Sequence, residues 1–216
     1  MFAYQTRRFG NFGLTRHKAG LVAVITLGLY AFSSLAGNPA TAASSTCAMS
    51  TAAVENAKGK NTGDLANFLL AHKSQNLTEI SFAQDGEPTS IAKWQGRTVL
   101  LNLWATWCAP CLREMPALDA LQKELGGDGF EVVAVSIDMK SDKKPKAFYK
   151  KTGIKDLAFY QDQSMGIFTS LRKLGIAKGM PTTVLIGKDG CMIGSLSGPA
   201  EWHGQDAITM IKSVMK

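Results

Sequence analysis

Acidic residues are missing from the first quarter of this 216-residue chain. The first acidic residue is Glu55. Four basic residues precede it: Arg7, Arg8, Arg16 and Lys18. They account for most of the formal net charge of +7, so the rest of the chain is nearly balanced. A balanced domain lacks the basic excess that is typical of nucleic-acid binding. The chain also lacks internal repeats, which excludes a repeat architecture.

Cysteine is scarce, with only four residues, at positions 47, 108, 111 and 191. A structural zinc site usually draws on two closely spaced ligand pairs, and this chain has one such pair, so the pattern disfavours zinc. Four cysteines allow three pairings. The close pair favours a Cys108–Cys111 bridge, which leaves Cys47 and Cys191 either as a second bridge or as two free thiols. An oxidising compartment would favour the second bridge.

The longest apolar run is at residues 19–37, directly after the basic residues 1–18. A basic segment followed by such a run predicts a transmembrane anchor or a cleaved secretory signal. The positive charges hold the N-terminal end in the cytoplasm, so we expect a single-pass protein of the inner (cytoplasmic) membrane with its domain in the periplasm. Ala40-Thr41-Ala42 is similar to a cleavage site, so a cleaved periplasmic form is the alternative. Residues 38–60, rich in Ala, Ser and Thr, are predicted to be a linker, with a short helix near 51–58, to a domain at 61–216.

The stretch from Val99 to Pro116 carries the chemistry of the chain. A continuously apolar segment, Val99 to Trp104, predicts a central strand buried on both faces. It leads into two cysteines that open a helical pattern, which places Cys108 at a helix N-terminus. Free N–H groups and the helix dipole favour a thiolate there, and a thiolate is the nucleophilic form of cysteine. Cys111 follows one turn later, close enough to resolve a mixed disulfide.

The remaining pattern predicts an α/β domain. A helix over 65–71 and a hairpin around Asp85-Gly86 precede the central strand. The helix that opens at the cysteines and a second buried strand, 130–137, complete a parallel βαβ unit. A basic helix from Ser141, a short strand at 157–160 and a helix at 164–174 follow. A hairpin around Lys188-Asp-Gly190 and a final amphipathic helix at 201–216 end the chain.

Two motifs in this order, Trp107-Cys-Ala-Pro-Cys111 and a later Met180-Pro181 before a hairpin, resemble the thioredoxin fold over about residues 75–216. The longer stretch Leu101-Asn-Leu-Trp-Ala-Thr-Trp-Cys-Ala-Pro-Cys-Leu-Arg-Glu-Met-Pro116 is similar to the membrane-anchored periplasmic thioredoxins of the TlpA type. The resemblance implies a central mixed sheet flanked by helices, with an αβ insertion between residues 141 and 160. It also implies that Cys47 and Cys191 form a structural disulfide.

Residue by residue, the resemblance makes Cys108 the attacking thiol and Cys111 the resolving thiol. It implies that Pro110 sets the redox poise and that Trp107 offers an apolar docking surface. The same resemblance assigns substrate binding to a second motif, Met180 and Pro181, in which Pro181 matches a cis-proline that faces the disulfide.

Asn102 stands where cytoplasmic thioredoxins keep a buried aspartate, and an amide cannot titrate. Glu114, one turn past Cys111, matches a glutamate of the TlpA-like reductases. We expect it to tune the thiol pKa values and to move a proton. The alternative for Glu114 is an ordinary solvated carboxylate near a helix start. Trp94, Trp104 and Trp202 are predicted to be packing residues.

The resemblance implies a protein-disulfide reductase that needs no cofactor and acts as a monomer. The implied partners are apocytochrome c or copper-site assembly proteins of cytochrome oxidase, with a membrane electron donor for re-reduction. One alternative is a copper-binding assembly factor of similar fold. Such factors use a wider cysteine spacing and a distant histidine, and only His203 follows the cysteines here. The other alternative is a thiol peroxidase, which the closely spaced cysteine pair disfavours.

Overall fold

The computed structural model describes residues 47–216, so the predicted anchor or signal at 19–37 lies outside the described residues. Five α-helices are found in the described part: α1 Ala48–Ala57, α2 Ala109–Leu125, α3 Lys143–Thr152, α4 Gly166–Lys173 and α5 Gln205–Val214. Two short 3₁₀ turns, Gly63–Leu65 and Ile91–Trp94, are also found. No helix within residues 47–216 is long and apolar enough to cross a membrane.

Eight strands form one mixed sheet in the order β1-β8-β7-β4-β5-β6-β2-β3. Their bounds are β1 Leu69–Leu70, β2 Ser81–Gln84, β3 Glu87–Ser90, β4 Thr98–Trp104, β5 Phe130–Ser136, β6 Tyr160–Gln161, β7 Thr182–Ile186 and β8 Met192–Ser197. β4 and β5 run parallel, joined through α2, whereas β7 lies antiparallel on the other side of β4. This arrangement is a thioredoxin-like α/β fold, as the sequence predicts.

The central strand is the most buried part of the fold. Every residue of β4 is buried, which confirms the prediction that it is covered on both faces. α2 packs against β5, and its apolar stripe, Met115, Leu118 and Leu121, is buried. The loop that carries Cys108 thus begins at the carboxyl end of β4, next to the buried core.

Two parts of the chain differ from the sequence prediction. The helix predicted over 65–71 is wrong, because a 3₁₀ turn at Gly63–Leu65 gives way to β1, which pairs with β8. Tertiary pairing at a sheet edge outweighs the local helical pattern there. The second difference lies in the predicted linker, where the short helix begins earlier than predicted, at residue 48, and packs as α1 against α5 and β8.

α1 is held to the rest of the domain by polar and covalent contacts. Cys47, the residue before its first turn, is bonded to Cys191 in a disulfide. Ser50 Oγ donates to the backbone oxygen of Cys191 at 2.9 Å, and Ser50 also donates to the carboxylate of Asp189 in the β7–β8 turn. The small buried face of this helix, Ala53, Val54 and Ala57, explains its weak signal in the sequence.

Candidate active site

The cysteine pair lies at the junction between β4 and α2. β4 ends at Trp104 and α2 begins at Ala109, with Cys108 at the N-cap position. Cys108 and Cys111 form a disulfide, with 5.3 Å between their Cα atoms. The backbone N–H of Cys111 donates to Cys108 Sγ at 3.3 Å. The same N–H and the positive end of the helix would stabilise a thiolate on Cys108 after reduction.

The two sulfurs differ in their access to solvent. Cys108 retains 6% of its surface, whereas Cys111 is completely buried. Trp107, directly before Cys108, is 61% exposed, although tryptophan is usually a well-buried residue. Solvent therefore reaches Trp107 and, to a small extent, Cys108, but not Cys111. This asymmetry fits the attacking and resolving assignments made from the sequence.

Glu114 lies on α2 three residues after Cys111, so the two side chains share one face of the helix. Only 4% of Glu114 is exposed. Burial raises the pKa of this carboxyl from 4.5 to about 7, against the opposing effect of three hydrogen bonds. Glu114 is therefore not a solvated surface carboxylate, which was the alternative interpretation. A carboxyl with this pKa exchanges a proton readily at neutral pH.

Each group that binds Glu114 is a hydrogen-bond donor. Asn102 Nδ2 donates to Oε1 at 2.8 Å, and the backbone N–H of Ala200 and Trp202 Nε1 each donate to Oε2 at 3.2 Å. The sequence interpretation of Trp202 as a packing residue is incomplete, because this fully buried ring also binds the carboxylate. Three donors favour the ionised form, and burial opposes them.

Asn102 connects Glu114 to the neighbouring strand. Its Nδ2 also donates to Thr183 Oγ1 on β7 at 2.9 Å. Within residues 47–216, Asn102 Oδ1 is buried and accepts no hydrogen bond. A protonated Glu114 carries an O–H that this oxygen would accept if the amide turned over, so the amide can match either protonation state.

A small cavity of about 280 Å³ borders Glu114. Pro110 and Arg113 line it from α2, and the loop Pro199–Glu201 and Asp64 line its other side. This opening gives water a route to the otherwise buried carboxyl. Pro110 is therefore placed between the cysteine pair and the entrance to Glu114.

Met180 and Pro181 lie at the carboxyl end of β4. The peptide bond between them is cis. Because Leu103 pairs with Thr182, the preceding residue Pro181 lies beside the end of β4, where the cysteine loop starts. Pro181 is buried and Met180 is half-buried. The structure thus brings this motif to the same sheet edge as Cys108.

Asp138 fixes the loop between Trp104 and Cys108, a contact that the sequence analysis missed. The backbone N–H of Thr106 donates to Asp138 Oδ2 at 2.9 Å, and the Thr106 hydroxyl donates to Oδ1. Ser136 Oγ supplies a third donor at 2.9 Å. Asp138 lies two residues after β5 and Thr106 two residues after β4, so the parallel register, which pairs Trp104 with Ser136, was the available signal for this contact.

The copper and zinc alternatives would each require several metal-binding side chains close together. In the described residues, no three side chains of His, Cys, Asp or Glu lie close enough together to hold a metal ion. His203, the histidine named in the copper alternative, lies 3.0 Å from Glu124.

Comparisons with known proteins place the chain in a family. A segment is 51% identical over 65 residues to the thioredoxin-like protein YneN of Bacillus subtilis, covering 29% of this chain and 38% of that protein. A longer segment is 32% identical over 114 residues to the thiol-disulfide oxidoreductase ResA of Bacillus thuringiensis, covering 53% and 62%. The matched segments therefore span less than two thirds of these relatives.

Solved structures share the fold. A homologue of DsbF from Corynebacterium diphtheriae superposes with a TM-score of 0.55 at 25% identity, covering 68% of this chain and 92% of that one. A thiol:disulfide interchange protein from Chlorobium tepidum gives a TM-score of 0.56 at 24% identity, covering 68% and 99%. The family model named Redoxin matches residues 36–209. The chain belongs to the Redoxin family and is similar to thiol-disulfide oxidoreductases of the ResA type.

Proposed function

We propose that this chain is a thiol-disulfide oxidoreductase that reduces cysteine pairs of other proteins through Cys108 and Cys111. The observation that carries the proposal is the position of the pair: Cys108 caps α2 next to the exposed Trp107 and keeps 6% of its surface accessible, while Cys111, one turn later, is completely buried. With this geometry a partner disulfide can reach Cys108 first, and Cys111 can react only with Cys108 afterwards. It resembles the site that the TlpA-like family uses for disulfide exchange.

The reaction exchanges two electrons without a cofactor. In the reduced protein, the Cys108 thiolate attacks one sulfur of the partner disulfide, whose S–S bond breaks to leave one partner thiolate. Cys111 then loses its proton and attacks Cys108 Sγ. The mixed disulfide breaks, the partner leaves as a dithiol, and Cys108 and Cys111 are joined. The partner gains the two electrons that this protein loses, and its two thiolates take up protons from the solvent.

Glu114 is proposed to accept the proton of Cys111. The two residues share a buried face of α2, and the pKa of Glu114, raised by burial to about 7, lets it hold or release a proton at neutral pH. The cavity beside Pro110 then returns the proton to water. The proton acceptor is therefore Glu114 on α2, because Asn102 on β4 has an amide side chain that cannot titrate.

The compartment and substrates follow as finer proposals. We place the domain outside the cytoplasm, anchored or released at residues 19–37, with a membrane donor that re-reduces the cysteine pair. The Cys47–Cys191 disulfide supports an oxidising compartment, because such bonds persist there. The proposed substrates are cysteine pairs that later receive haem or copper, namely those of apocytochrome c or copper-site assembly proteins.

The test is a redox titration of the full chain in glutathione buffers. A potential near that of thioredoxin, roughly −270 mV, supports a reductase, whereas one near roughly −120 mV indicates an oxidant and rejects the assignment. A Cys111→Ser variant cannot resolve the mixed disulfide, so it retains its partner covalently. Identification of the retained protein by mass spectrometry distinguishes the haem substrate from the copper substrate.

A further inference from the structure

A groove of about 480 Å³ lies beside the cysteine pair, on the side of α3. Its lining includes Trp107 and Leu112 from the active-site region and Ala147 and Phe148 from α3. These four side chains give the groove an apolar lining. Because Trp107 is the chain neighbour of Cys108, the groove opens directly next to the sulfur that partners reach.

The edge of the groove is positively charged. Lys144 and Lys151 line it from α3, and both are exposed. Within residues 47–216, neither takes part in an ion pair, whereas Lys146 on the same helix is bonded to Asp142 at 2.7 Å. The two lysines that face the groove therefore keep their charges available for a partner.

One acidic side chain, Asp138, also lines the groove. It is 6% exposed, and both of its carboxylate oxygens accept hydrogen bonds from Thr106, with a third bond from Ser136. A buried carboxylate that is fully engaged presents little charge to a ligand. The accessible charge at the groove is thus that of Lys144 and Lys151.

We propose that this groove binds the segment of the partner protein that flanks its reactive cysteine, and that the segment carries a large apolar side chain next to Asp or Glu. This proposal rests on the proposed disulfide exchange and specifies its partner. The apolar side chain would pack between Trp107 and Phe148, and the acidic residues would pair with Lys144 and Lys151. An extended segment advances about 3.3 Å per residue, so a few residues suffice to reach from a cysteine at Cys108 into the groove.

A protein segment fits the groove better than an anionic lipid surface does. The binding surface is concave and lined by aromatic and aliphatic side chains, which suits an inserted side chain. Met139, directly after Asp138, is 58% exposed and adds apolar surface next to this lining residue. Apolar anchors surrounded by charge are typical of protein interfaces, where the charge selects the partner and speeds its approach.

The test uses two short synthetic disulfide peptides that differ only after the second cysteine, where one has Phe-Glu-Glu and the other Phe-Lys-Lys. We expect the reduced full chain to reduce the acidic peptide roughly tenfold faster at about 0.15 M salt. The K144E/K151E variant should reverse this preference. The matched control K143E/K150E changes the charge of α3 by the same amount at residues outside the groove lining. This control should retain most of the preference for the acidic peptide.

A neutral substitution tests the apolar part separately. Ala147→Gln places a longer side chain in the groove without a charge change, and should slow reduction of both peptides several-fold. Reduction of hydroxyethyl disulfide, which is too small to reach the groove, should be unchanged in every variant. Equal effects of K144E/K151E and K143E/K150E would show that only net charge matters and would overturn the proposal.

Two further measurements separate the remaining outcomes. If the wild-type chain fails to reduce hydroxyethyl disulfide, the proposed function fails. Binding of a labelled, cysteine-free Phe-Glu-Glu peptide to the oxidised protein then decides the docking site alone, and binding that K144E/K151E abolishes supports it. The alternative that the groove binds an anionic lipid surface is tested by measuring which lysines are protected from chemical acetylation. Protection of Lys144 and Lys151 by anionic vesicles, but not by the peptide, would overturn the proposal.

Discussion

The side-chain amide of Asn102 donates a 2.8 Å hydrogen bond to Glu114, which ties the central strand to the second turn of the active-site helix. Both residues are buried, and all three partners of the carboxylate are donors. The site thus stabilises a negative charge with hydrogen bonds in a place where burial disfavours it. Four predictions follow from this and other contacts.

Glu114→Gln should flatten the dependence of stability on pH. The native pKa of about 7 exceeds the unfolded value of 4.5, so the native state binds more protons than the unfolded chain between these values. The free energy of unfolding therefore falls as pH rises through this window, by an amount on the order of 3 kcal/mol. Urea unfolding below, within and above the window measures the slope. Glu124→Gln, an exposed control, should leave this fall in place, and an unchanged slope in Glu114→Gln would contradict the prediction.

Asn102→Ala should shift the pH profile of exchange. The lost hydrogen bond stabilised the carboxylate, so the pKa of Glu114 rises above about 7. If Glu114 accepts the proton of Cys111, the inflection in the rate at which the mixed disulfide is resolved moves to higher pH. Stopped-flow kinetics over a range of pH provides the measurement. Thr183→Val serves as the control, since it removes the other acceptor of Asn102 and leaves its bond to Glu114. If the pH profile of Asn102→Ala is the same as that of the wild-type protein, the proposed proton transfer to Glu114 is excluded.

Removal of both Cys47 and Cys191 should destabilise the domain without changing disulfide exchange. This bridge joins residues 144 positions apart, and loss of a native disulfide in a small secreted domain costs about 2–5 kcal/mol. A Cys47→Ser, Cys191→Ser double variant is compared with wild type by denaturant unfolding and by its rate with hydroxyethyl disulfide. Ser50→Ala, which removes the hydroxyl beside the bridge, should cost less. A slower exchange rate in the folded double variant would connect this bridge to the active site.

Asp138→Ala should impair both stability and rate. It removes the acceptor of the Thr106 backbone N–H, and an unsatisfied buried donor costs about 1–3 kcal/mol. The loop that positions Trp107 and Cys108 then moves, so exchange should slow by between about tenfold and a hundredfold. Asp119→Ala is the matched control, because Asp119 likewise accepts backbone N–H groups, at Lys155–Leu157, away from the cysteines. Equal rate losses in the two variants would show that only global stability is involved.

The sequence predicts the centre of this fold well because its strands are continuously apolar. The predicted strand 99–104 and the observed β4, Thr98–Trp104, differ by one residue, and 130–137 becomes Phe130–Ser136. The helix that opens at the cysteines is observed as α2, Ala109–Leu125. In each case, local pattern and tertiary burial favour the same structure, so the pattern alone is sufficient.

Prediction fails where a contact between distant residues decides the structure. β1 exists because Leu69 and Leu70 pair with β8, more than a hundred residues away, and no local signal shows this. The same holds for Glu114. Its spacing from Cys111 was visible in the sequence, but its burial depends on Trp202 and Ala200, which only the folded chain brings near.

The Cys47–Cys191 bridge has a mechanical consequence. It closes a covalent ring of backbone and disulfide that contains both active-site cysteines. Tension applied to the chain ahead of Cys47 passes through this bond into β8, bypassing the intervening backbone. Tension between the chain before Cys47 and the chain after Cys191 would therefore leave the backbone around Cys108, Cys111 and Glu114 unloaded.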